Sequence, residues 1–123
     1  MGNQPSNDVE SAPKGPIEEW IDKIASVPGV KAVIITDPEG LPLRDTFATW
    51  EAGWMLQYAT LCSQFVKRAK VAVTTFDNND ELNLVRIRSK KDEVLVALDK
   101  DYILIVIQSI GLTKTDVPIT IYF

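Results

Sequence analysis

Asp80–Gln108 reads DELNLVRIRSKKDEVLVALDKDYILIVIQ, and the fold turns on how this stretch is parsed. Three β-prone runs stand out: Glu81–Arg88, Glu93–Leu98 and Tyr102–Gln108. Short charged connections, Ser89–Asp92 and Asp99–Asp101, separate them. Runs of this length, rich in Val, Ile, Leu and Tyr and joined by tight polar loops, predict an antiparallel meander. The runs differ in pattern, and the difference orders them. Ile103–Ile107 is apolar at every position and needs cover on both faces. In Glu93–Leu98, Val94, Val96 and Leu98 share one face, and Glu93, Leu95 and Ala97 share the other. Glu81–Arg88 is the most polar, with Arg86 and Arg88 two apart on one face. The meander therefore runs from an outer strand to a central one.

Upstream, Ile17, Trp20, Ile21 and Ile24 recur at helical spacing, so Ile17–Ser26 predicts a short amphipathic helix ended by Pro28-Gly29. Val30–Asp37 is nearly continuous in apolar and β-branched residues and predicts a second buried central strand. Asp37-Pro38-Glu39-Gly40 is a turn signal, and Leu41–Phe47 returns as a strand that Pro42 confines to an edge. A long helix is expected from Trp50 to about Val73, with Thr49 as its cap. Two apolar stripes run along it. Trp54, Tyr58, Leu61 and Phe65 form a bulky one; Met55, Ala59, Cys62, Val66 and Ala69 form a small one beside it. A helix on a sheet needs only one stripe. The second indicates either a wide contact with its own sheet or a partner, the simplest being the same helix of another copy. Trp54 is read as core, and Trp50 as core or an exposed anchor.

These elements give an α+β fold, a five-stranded mixed or antiparallel sheet in the order 2-1-5-4-3 with a helix on each face. Met1–Pro16 is polar and Pro-rich and reads as a disordered tail; the domain covers 17–108, and Ser109–Phe123 is an extension. Within it, Ile119–Phe123 has strand propensity. It can add a strand to an edge, locally or on a partner, or form a loosely packed terminus.

The order and the motifs resemble the roadblock family of dynein light chains. The resemblance is most specific in Leu84–Lys91 and Asp99–Gln108, and extends to Gly40-Leu41-Pro42 and Gln57-Tyr58-Ala59. It implies a roadblock/profilin-like fold and a homodimer, or a heterodimer with another roadblock chain. In that dimer the third strands pair across a two-fold axis and the long helices lie side by side. It further implies binding to a dynein intermediate chain, and hence a place on microtubules in the cytoplasm or in a ciliary axoneme. The residues expected at the dimer interface are Met55, Ala59, Cys62, Val66 and Ala69 on the helix, with Leu82, Leu84, Arg86 and Arg88 on the third strand. Arg86 and Arg88 can equally be solvated charges that blunt an edge. Two features depart from the family pattern: the two terminal tails and the aromatic helix entry Trp50–Trp54. A scaffold for a small GTPase is the alternative role, because related domains serve it.

Composition narrows the function classes. At 123 residues, 46% hydrophobic and 24% charged, the length and balance suit one soluble domain. A net charge of −4 argues against nucleic acid as a partner. A lone cysteine excludes an internal disulfide. Without histidine there is no imidazole base, catalytic triad or imidazole metal ligand, and no phosphate-binding glycine loop is present. The expectation is therefore a non-enzyme without cofactor or metal. Met1–Ser6 matches the spacing of an N-myristoylation signal at Gly2, and also suits an ordinary tail. One acyl chain gives only marginal attachment, so stable membrane insertion is not expected.

Overall fold

The computed structural model of the chain describes residues 15–110 and 120–122. The expected tail with Gly2 lies outside these residues up to position 14. Helix α1 spans Pro16–Ala25, with Pro at the helix start and Glu18 and Glu19 in the first turn, where acidic side chains complement the helix dipole. Strand β1 (Val30–Thr36) and β2 (Pro42–Asp45) form a hairpin. A 3₁₀ turn, Thr49–Glu51, leads into the 25-residue helix α2, Ala52–Phe76. The meander follows as β3 (Leu84–Arg88), β4 (Asp92–Leu98) and β5 (Ile103–Ser109), and β6 (Thr120–Tyr122) is the last described element.

The expected sheet order is present. Every described strand pairing is antiparallel, and the full order is β2-β1-β5-β4-β3-β6. The two most apolar strands, β1 and β5, are neighbours in the middle, with Ile34 opposite Ile105 and Val33 opposite Val106. Burying both is favourable only with cover on each face. Helix α2 covers one, over a core of Ile34, Val85, Val96, Ile103, Ile105 and Ile107. Helix α1 covers the other at β1, where Ile21 packs with Val33 and Ile35.

The turn at Asp37–Gly40 has the predicted chemistry. The Gly40 amide donates to the Asp37 carbonyl (2.9 Å), and Asp37 Oδ1 accepts from the amides of Glu39 and Leu41. Gly40 has φ +97°, and a Cβ there would fall 2.7 Å from Ser63 Cβ, so this glycine also lets the turn press against α2. Arg44 Nε on β2 reaches Glu18 Oε2 at 2.9 Å, which ties α1 to the hairpin and holds the Glu18 carboxyl below its ordinary range.

Three boundaries differ from expectation for local reasons. Thr49 opens the 3₁₀ turn instead of capping α2; the Ala48 amide donates to Glu51 Oε1 (3.0 Å) in its place. The helix runs one turn past Val73, to Phe76, where Asp77 ends it in an extended conformation. The third strand begins at Leu84, because Asp77 and Asp80 hold the preceding loop by accepting from the amides of Asn79 and Glu81.

Candidate interaction surface

The small stripe of α2 faces the protein's own sheet. Ala59 is fully buried, Cys62, Val66 and Ala69 are buried, and Met55 is partly buried against the same core. The sheet explains why. It presents large side chains toward α2, Ile34, Ile105 and Ile107 among them, and a helix lying on them must bring small ones or overfill the layer. The assignment of Met55, Ala59, Cys62, Val66 and Ala69 to a helix–helix interface is thus corrected: they are the seat of the helix on its sheet. Leu82, also expected at the interface, is 6% exposed and belongs to that core.

The bulky stripe takes the outward position. Trp54 is 64% exposed, Leu61 62% and Phe65 37%, so Trp54 is not core; Trp50, just before the helix, is 82% exposed. Only Tyr58 turns inward, packing against the core and placing its ring 6.3 Å from that of Phe47. At 100° per residue, Trp54, Leu61 and Phe65 fall within about 40° of one another on the wheel. Ser63, which meets the Gly40 turn, lies on the opposite flank. The exposed stripe therefore runs along the flank of α2 opposite the Gly40 turn.

Strand β3 alternates as predicted. Val85 and Ile87 enter the core, whereas Leu84, Arg86 and Arg88 share the other face, with Leu84 37% exposed. The arginines have a specific neighbour. Glu93 Oε2 lies 3.6 Å from Arg86 Nε and 3.5 Å from Arg88 Nε, and Gln108 Nε2 donates to Glu93 Oε1 at 2.8 Å. Register produces the cluster, since Arg88, Glu93 and Gln108 are directly opposite one another on β3, β4 and β5. A buried carboxylate is tolerated when charge and hydrogen bonds compensate it. Both oxygens of Glu93 are compensated here.

The outer edge of β3, expected to be open, is occupied. Residues Thr120–Tyr122 pair antiparallel with it, Arg86 opposite Tyr122 and Arg88 opposite Thr120. Within the run of strand propensity, Thr120–Tyr122 pair locally, as a sixth strand. Cys62 is inert by position: burial pushes its thiol up to about 11. No described helix is long and apolar enough to cross a membrane.

The described geometry is a two-helix, antiparallel sheet with one helix flank left apolar, and residues 16–109 match the family model of the Roadblock/LC7 domain. The chain belongs to the Roadblock/LC7 family. Its fold is similar to that of a Roadblock/LC7 domain from Streptomyces avermitilis (TM-score 0.65, 16% identity, covering 75% of this chain and 78% of that one). It is likewise similar to the gliding protein MglB from Thermus thermophilus (0.64, 15% identity, 80% and 76%). A third likeness is to MglB in a tetrameric arrangement (0.62, 14% identity, 80% and 76%). Sequence reasoning found the family and missed which stripe is exposed. The signal was available in side-chain size, because the small stripe is the one that fits over a sheet of isoleucines.

Proposed function

We propose that this roadblock domain is a non-catalytic interaction subunit that pairs with a second roadblock copy through the exposed flank of α2. One observation carries the reading: Trp54, Leu61 and Phe65 form a contiguous apolar stripe in water on a helix whose core face is already filled. Exposed apolar side chains grouped in one patch, with aromatic anchors among them, are characteristic of protein contacts.

For the partner held by such a pair, two readings compete. Similarity of Leu84–Lys91 and Asp99–Gln108 to roadblock light chains supports a dynein intermediate chain, and with it a role in motor assembly or cargo linkage on cytoplasmic or axonemal microtubules. Similarity of fold to bacterial roadblock proteins, a gliding protein among them, favours the second reading, a scaffold for a small GTPase. Affinity capture with the tagged full chain, with and without added guanine nucleotide, separates them. Recovery of small GTPases without an intermediate chain refutes the dynein reading; recovery of an intermediate chain without a GTPase refutes the scaffold reading.

A further inference from the structure

Pairing of the third strands across a two-fold axis and pairing of β3 with β6 use the same backbone groups. The outward N–H and C=O groups of Arg86–Arg88 face Thr120–Tyr122 of the same chain. A strand edge accepts one neighbour. We propose that β6 is an exchangeable cap on β3, and that a second copy of the chain must displace it to complete the dimer sheet. This rests on the dimer reading above.

The two occupants differ in how they reach the edge, one tethered to the same chain and the other free in solution. Among the described residues, Thr120–Tyr122 of β6 pair with Arg86–Arg88 of β3. An antiparallel β3–β3 contact can use the whole strand, Leu84–Arg88, of each copy. Residues 17–107 by themselves supply two core clusters, one under each helix. Displacing the cap costs its ladder hydrogen bonds and leaves those clusters in place. The competition has a defined concentration dependence. A segment of the same chain competes at a fixed effective concentration, whereas a second copy competes at its bulk concentration. At low concentration the cap holds β3, and at high concentration the second copy wins. The occupant thus sets a threshold for assembly, and a bound partner that bridges two copies lowers it.

The test compares dimer dissociation constants, by sedimentation equilibrium, for the full chain, for a chain ending at Ile110, and for the full chain with Ile121→Pro. Proline at the middle residue of β6 removes an N–H and disfavours the strand without shortening the chain. Both changes are expected to tighten the dimer by about tenfold, equivalent to about 1.4 kcal/mol. In the monomer at low concentration, both are expected to speed amide exchange at Arg86–Arg88. A dimer that forms equally well, or less well, without β6 overturns the cap while leaving the dimer reading intact. A truncated chain that stays monomeric at every concentration overturns the dimer reading and the competition together.

Discussion

Leu61 and Val66 sit five residues apart on α2, one on each stripe, and truncating them should have opposite consequences. Val66 is 1% exposed and packed into the core over the sheet. Removing its two methyl groups loses their burial and leaves a cavity, a cost of about 2 kcal/mol for Val66→Ala. For a domain near 100 residues that lowers Tm on the order of 10 °C. Leu61 is 62% exposed in the single chain, so Leu61→Ala should change monomer stability by no more than about 0.5 kcal/mol. In a two-fold dimer the remaining exposed fraction of Leu61 becomes buried. A fully buried leucine is worth roughly 1.5–3 kcal/mol, and about three-fifths of that is roughly 1–2 kcal/mol per copy. The two-fold axis counts it twice, giving roughly 2–4 kcal/mol and a dissociation constant weakened roughly 30- to 700-fold. Sedimentation equilibrium reads the second quantity. Thermal unfolding reads the first, at a concentration where the unmodified chain is monomeric, since dimerisation itself raises Tm. The reasoning fails if Leu61→Ala leaves the dissociation constant within threefold. It also fails if Val66→Ala weakens the dimer while leaving Tm unchanged, because the small stripe would then be the interface after all.

Gly40→Ala should destabilise by about 2–4 kcal/mol in urea melts, combining a disfavoured positive φ with overlap against Ser63; adding Ser63→Gly should recover only the overlap part. Full additivity of the two substitutions would refute the contact. Glu93→Gln should cost about 2 kcal/mol, since it leaves Arg86 and Arg88 side by side on one face of β3 without the β4 carboxylate that neutralises them; an unchanged urea midpoint would show that solvent screens the pair fully. Cys62, with its thiol raised to about 11, should react with a disulfide reagent at pH 8 more than 100-fold slower than a model thiol, and at the model rate once urea unfolds the chain. Fast labelling of the native protein would place Cys62 outside the core.

Periodicity alone carried most of the architecture. Two largely apolar runs, Val30–Thr36 and Ile103–Ile107, demand cover on both faces, and only a central position supplies it. Pro42 and the polar third run then have to be outside them, which yields the order 2-1-5-4-3 before any coordinate is known. The motifs in Leu84–Lys91 and Asp99–Gln108 carried the family. What the tertiary structure decided is how facing surfaces share space. Helix periodicity puts Ala59 and Leu61 on different stripes without saying which one meets the sheet; the isoleucines opposite settle it, because close packing accepts the small side chains there and leaves Trp54, Leu61 and Phe65 in water. Register likewise joined Glu93 to Arg86, Arg88 and Gln108 across three strands, and brought Thr120–Tyr122 onto the β3 edge. Pairings between distant segments depend on the ends that three-dimensional closure brings together, and a one-dimensional pattern has no coordinate for that.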